Sequence, residues 1–326
     1  MKAHFVSLCI CILVCVTAAS SQAQTFTDLT DFNPNAWIPT YSLLQGTDGN
    51  LYGTTNRNAG SLGGALFKFT SHGTLEIIYT FCKETGCTDG STPSGALVEA
   101  PNGLLYSTTS GGGAFNIGTA FSITAGGTLT TIYSFGSQQN DGVNPYSGLV
   151  LGRNNTLYGT TYSGGTIGGG TVYKLTLGGV KSTIYNFCQL TRCRDGAAPY
   201  GPLIQATNGK LYGATIAGGC CNAGTIFAVT PSGALKTVYS FCRQSKCQDG
   251  GQPNGVIQAS DGNLYGTTSV GGTYHHGGVF KLTTSGVFTP LYSFCGCGDG
   301  AQPAAPLVQA NDGNFYGTTF KGGAKV

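Results

Sequence analysis

An all-β propeller of about six four-stranded blades is the fold this sequence predicts, and three observations carry that expectation. The stretch "DGNLYGTT" at 48–55 returns as "DGNLYGTT" at 261–268 and "DGNFYGTT" at 312–319, and alignment on its tyrosine gives Tyr52, Tyr106, Tyr158, Tyr212, Tyr265 and Tyr316, spaced by 54, 52, 54, 53 and 51 residues. A period near fifty residues points to a propeller or a solenoid. The 54 glycines stand beside 17 tyrosines and 17 phenylalanines, an apolar content that Gly-rich disordered chains lack. No segment shows the i, i+3, i+4, i+7 pattern of a capped helix.

The elements follow in chain order. Residues 1–23 have a basic start at Lys2, an apolar run from Phe5 to Val16 and a small-residue end at Ser21-Gln22-Ala23, the layout of a secretory signal peptide. Residues 24–326 are expected to form one propeller domain of 51–54-residue repeats. One repeat reads as strand a "GPLIQA" (201–206), strand b "LYGAT" (211–215), strand c "GTIFAVT" (224–230) and strand d "LKTVYSF" (235–241), separated by Asx-Gly or Ser-Gly turns typical of hairpins. Four antiparallel strands per repeat make one blade. "TFTDLTDF" (25–32) is similar to strand d and "IPTYSLLQ" (38–45) to strand a. At the other end strand a (305–310) and strand b (314–319) are followed by "KGGAKV", where strand c should come. The sixth blade is therefore either three-stranded, closed by the N-terminal strand, or incomplete in a truncated chain; truncation is the expectation here.

The combination "DGNLYGTT…GG…GGVFKLTTSG…LYSF…DGAQP…LVQA" resembles the GloVer-type tandem repeat of "choice-of-anchor" proteins, secreted bacterial repeat proteins, over residues 25–326. The resemblance implies a secreted or surface repeat array with no established catalytic activity. The double glycine after strand b is also similar to kelch-type blades.

Composition narrows the function classes. The formal net charge is +3 and charged residues make up 9%, so no basic stripe suits nucleic acid. After the leader no apolar run approaches the ~18–20 residues that span a bilayer. Three of the 13 cysteines (Cys9, Cys11, Cys15) leave with the leader, and the remaining even number suits disulfides in an oxidising compartment.

Most carboxylates have a structural reading. Asp48, Asp261 and Asp312 precede strand b, and Asp89, Asp141, Asp195, Asp249 and Asp299 precede the proline-bearing lead into strand a. An Asp before Gly caps a tight turn, whereas calcium would need several converging oxygens. Asp28, Asp31, Glu76, Glu84 and Glu99 show no paired spacing that would support a two-carboxylate glycosidase. Glycine runs such as "SGGGAFNIG" (110–118) lead into strands rather than a phosphate-binding helix, and no Gly-x-Ser-x-Gly or His-Glu-x-x-His motif occurs. The tyrosine of each "LYG" is expected in the blade core.

Cys82/Cys87, Cys188/Cys193 and Cys242/Cys247 recur as C-x4-C after the phenylalanine of strand d, and Cys295/Cys297 takes that place in a shorter loop. Local disulfides are expected, while the adjacent Cys220 and Cys221 could bridge each other, bridge another chain or remain thiols. The second copy, "FGSQQNDG", has no cysteine.

The b–c and d–a loops share one face, and the variable b–c loops make it the candidate recognition surface. Tyr274, His275 and His276 are its most distinctive residues, either solvated or in contact with a ligand. A second set, Gln45, Glu99, Leu151, Gln205, Gln258 and Gln309 in strand a, could ring a central channel or satisfy backbone groups between blades. The expected function is a secreted, non-catalytic propeller that binds a glycan, protein or cell-envelope component, with no cofactor or metal. The alternative is a propeller enzyme, such as a polysaccharide or lactone lyase, with its site at the channel mouth.

Overall fold

The computed structural model describes residues 41–56 and 63–323; the leader, the strand expected at 25–32 and most of the first b–c loop lie outside the described residues. The chain forms a β-propeller, with antiparallel a–b–c–d sheets following one another along it. The first blade comprises Leu44–Gln45, Leu51–Thr55, Ala65–Phe69 and Leu75–Thr80, and the fourth comprises Ala197–Gln205, Leu211–Ala217, Thr225–Val229 and Leu235–Ser240. In the sixth blade, Ala301–Pro303 pairs with Thr319–Lys321 and Val308–Gln309 with Phe315–Tyr316. In the first five blades the Tyr of the repeat sits mid-sheet, as Tyr212 does between Ile204 and Ala228.

Strand a begins earlier than its sequence suggests. In the fourth blade it runs from Ala197 instead of 201, and in the second it divides into Ser91–Pro93 and Val98–Glu99, both paired with Leu105–Gly111. Proline has no N–H to give the ladder, so the register breaks just after it, between Tyr200 and Ile204 and between Pro253 and Val256. The residue before each proline (Thr92, Asn144, Ala198, Gln252, Gln302) is left-handed, with φ from 50 to 56°. That conformation costs a non-glycine residue roughly 1–2 kcal/mol. It persists because each of these N–H groups donates to a carbonyl of the preceding blade's b–c loop: Gly63, Ile117, Gly169, Ala223 and His276 respectively.

The core lies between blades. Strand b alternates its faces, so Leu105 packs toward the first blade while Tyr106 packs toward the third, and Leu211 and Tyr212 divide in the same way between the third and fifth. The strand-d phenylalanines Phe81, Phe135, Phe187 and Phe241 meet Phe121, Tyr173, Phe227 and Phe280 of the next blade edge-on, with centroids 5.0–5.3 Å apart. Full burial of one such side chain is worth about 1.5–3 kcal/mol. Tyr106, Tyr158 and Tyr212 are 1% exposed, whereas Tyr316 of the sixth blade is 41% exposed.

The repeated letters are joinery. The Asp48 carboxylate accepts the Asn50 N–H at 3.0 Å and the Tyr52 hydroxyl at 2.6 Å, closing an Asx turn onto the core tyrosine of the same motif; Asp261 with Tyr265 and Asp312 with Tyr316 repeat it. The second threonine of the motif pairs with a threonine of strand c, as Thr109 with Thr119, Thr161 with Thr171 and Thr215 with Thr225, each at 2.8 Å. The first threonine ties to strand a: Thr108 donates to the Ser147 carbonyl of the next blade.

Candidate functional site

Antiparallel connection puts the b–c and d–a loops at one end of every blade, and the loops interlock there. The N–H groups of Gly113, Gly219 and Gly272 in b–c loops donate to the carbonyls of Cys87, Cys193 and Cys247 at 2.9–3.0 Å. The structure pairs Cys82 with Cys87, Cys188 with Cys193, Cys242 with Cys247 and Cys295 with Cys297. Cys220 and Cys221 are exposed thiols with Sγ atoms 3.1 Å apart. The one described cluster with metal-ligand geometry, Cys295, Cys297 and Asp299, has both sulfurs in a disulfide.

Beside each of the three C-x4-C disulfides a buried carboxylate gathers donors. Asp195 accepts the Tyr185 hydroxyl at 2.8 Å and the Gln189 and Leu190 N–H groups at 2.9 and 3.1 Å; Asp89 and Asp249 do the same in their loops. These carboxylates are thereby committed to holding loops.

Tyr274, His275 and His276 are exposed, and their side chains make no hydrogen bond with any described residue. His275 is left-handed at φ 64°, and the His276 carbonyl, not its ring, accepts the Gln302 N–H. A cavity of ≈270 Å³ beside the fifth blade's strand d reaches Thr273 but none of the three.

The strand-a set has a specific placement. Glu99 accepts the Thr47 N–H and hydroxyl at 2.8 and 2.6 Å, and Gln205, Gln258 and Gln309 accept the N–H groups of Arg153, Thr207 and Ser260 at 2.8–2.9 Å. Each acceptor thus binds the a–b turn of the preceding blade, at the end away from the variable loops. Gln45 is exposed, and Leu151 has no polar group to offer.

A different set of side chains converges on the axis. Tyr41 of the first blade, Tyr146 of the third and Tyr200 of the fourth line one cavity of ≈310 Å³ with Asn56, Thr92, Ser94 and Ser110. The Tyr41 hydroxyl lies 3.5 Å from the Tyr146 carbonyl. Non-adjacent blades can meet only at the axis, so strand a is innermost. A second cavity of ≈330 Å³ continues from Tyr200 along Ile216, Gln252, Asn254, Ser269, Gln302 and Phe320. Just beyond, the inner strands touch backbone to backbone: a side chain on Gly95 would collide with Gly148, and one on Gly201 with the Asn254 carbonyl.

Two repeat positions supply this mouth. One is the residue after the motif's second threonine: Asn56, Ser110, Ile216, Ser269 and Phe320 line it, and Tyr162 packs edge-on against Tyr146 at 5.3 Å. The other is the residue after the strand-a proline: Ser94, Tyr146, Tyr200, Asn254 and Ala304. Sequence reasoning missed both, although a signal existed, because in each case a constant element is followed by a letter that changes from copy to copy. The named walls contain no Asp, Glu, Lys, Arg or His. Burial, reinforced by the phenols of Tyr200 and Tyr146, pushes the Tyr41 hydroxyl up to about 12, so it stays a neutral donor at physiological pH.

Among solved structures, the chain is similar to a protein provisionally assigned as a gluconolactonase (14% identity, TM-score 0.51, covering 89% of this chain and 87% of that one). It is also similar to the extracellular domain of a provisionally assigned hybrid two-component system from B. thetaiotaomicron (12% identity, TM-score 0.58, covering 87% of this chain and 32% of that one). At such identities the likeness shows the propeller fold alone. No curated protein matches the chain. The family model of the Gloeobacter/Verrucomicrobia repeat matches residues 39–247 and 242–326, and the chain belongs to that family.

Proposed function

We propose that this protein is an exported, non-catalytic propeller that binds a neutral glycan at the axial mouth on its b–c and d–a loop face. The observation that carries the reading is the convergence of Tyr41, Tyr146 and Tyr200 with neutral amide and hydroxyl side chains in one concave wall. Sugar rings offer apolar C–H faces that pack on aromatic rings, and hydroxyls that need uncharged donors and acceptors; ligand sites of this size commonly mix the two. A lyase or lactonase would draw on acids and bases, and the described residues that line the two cavities include none. Export is read from the N-terminal leader, and among the described residues no helix is long and apolar enough to cross a membrane.

A carbohydrate array probed with the purified protein tests the reading. Neutral glycans are expected to bind, Tyr146→Ala to lose most of the signal, and the triple change Tyr274→Ala, His275→Ala, His276→Ala to keep it. Loss confined to the triple variant would move recognition to the fifth blade's loop, and an array blank for the native protein would end the glycan reading. An N-terminal mass beginning near Gln24 in protein recovered outside the cytoplasm checks export.

A further inference from the structure

We infer that Tyr200 divides the axial mouth into two adjoining subsites, so that the ligand is a neutral oligosaccharide of at least two sugar units; this rests on the saccharide reading above. Among the described residues, Tyr200 is the one side chain that lines both cavities, of ≈310 and ≈330 Å³. Each volume is at the low end of the ~300–1,000 Å³ range of ligand pockets, so an extended chain must use both. Aromatic surface lies on both sides of the divide, Tyr41 and Tyr146 on one and Phe320 on the other.

The backbone of the divider is held by the sheet. Tyr200 is 40% exposed yet pairs with Ala214 in the sheet, and its approach is fixed by Pro199 and by left-handed Ala198, whose N–H donates to the Gly169 carbonyl at 2.9 Å. Asn56 lines the first cavity beside Tyr41 and Tyr146 and contributes an uncharged amide to its wall. The absence of charged side chains in the named walls favours neutral sugars over uronates.

The test is calorimetric titration of the full chain with neutral homo-oligosaccharides of glucose, galactose, mannose and xylose, from one to four units long. Affinity for a recognised series should rise about tenfold or more from one unit to two or three and then level off. Tyr200→Ala should abolish that rise, Tyr200→Phe should keep most of it, and Asn56→Ala should weaken binding while leaving a length dependence. Unchanged melting of Tyr200→Ala separates loss of binding from loss of fold. Length-independent binding that still requires Tyr146 would overturn the two-subsite inference and leave the saccharide reading standing. No binding by any series would overturn both.

Discussion

The d–a loop leaving the second blade differs from its neighbours, and the difference shows two chemistries by which a d–a loop is held. In the loop before the fourth blade a disulfide, Cys188 to Cys193, encloses the turn, and buried Asp195 takes three neutral donors. The loop before the third blade has no cysteine. There Asp141 accepts the Tyr133 hydroxyl at 2.6 Å, the Gly136 and Gly142 N–H groups at 2.8 Å, and the ammonium of Lys181 at 2.6 Å. Lys181 opens strand d where the other described copies have Leu75, Leu129, Leu235 and Phe288. Both partners are buried, with side-chain exposures of 0% and 2%, and the Lys181 Nζ sits 5.5 Å from the Tyr133 and Tyr173 ring centres. In the fifth blade Phe288 stacks on Tyr239 at 4.6 Å, so a ring fills the place that the ammonium fills in the third. A core position thus carries charge at the blade whose loop lacks a covalent clasp.

The largest effect is expected at that pair. Lys181→Ala strands a buried carboxylate and should cost about 3–5 kcal/mol in denaturant unfolding; a loss under about 1 kcal/mol would mean the pair is a passenger. Next, the double change Cys82→Ser, Cys87→Ser opens a short loop and should cost about 2 kcal/mol. Reducing agent should then raise amide exchange in the three C-x4-C loops and leave residues 136–142 unchanged; equal changes in all four loops would erase the contrast. A smaller loss, about 1.5 kcal/mol, is expected for Tyr239→Phe, which deletes one hydrogen bond to buried Asp249. The corresponding Tyr133→Phe should cost less, because the Asp141 charge retains its ammonium partner.

The smallest effect concerns pH. Hydrogen bonds from Asn263 and Lys281 hold the Asp261 carboxyl well below its usual value, and the Tyr52 hydroxyl and Asn50 do the same for Asp48. A folded-state pKa below the unfolded one contributes stability above the unfolded value, about pH 4, and loses it as pH falls through the folded value. Asp261→Asn should therefore lower stability slightly at neutrality, the difference vanishing as pH falls below about 4, and so flatten the acid limb of a stability–pH curve. An unaltered limb would show that these exposed Asx turns do not govern acid unfolding.

Much of the architecture was legible because it is local and repeated. The Asx turn of Asp48 reaches only to Tyr52, the cysteine pairs are five or two residues apart, and the alternation of strand b sends its Leu and Tyr to opposite faces. Strand a was read too short because its first half depends on a left-handed residue that no local propensity favours. The hydrogen bond from Ala198 to Gly169 of the neighbouring blade stabilises it, and sequence spacing does not reveal such a partner. The same limit hid Lys181, which reads as an ordinary surface lysine until the fold brings it to Asp141, 40 residues away.

By itself, the sequence determined the repeat period, the four-strand blade, the turn chemistry and the family, because each depends on patterns within about fifty residues and recurs from copy to copy. Only the tertiary structure decided where a ligand could sit. Tyr41 and Tyr146 are separated by 105 positions, and they share a cavity because the turn from blade to blade about an axis brings the strand-a segments of separate repeats to neighbouring points on one wall.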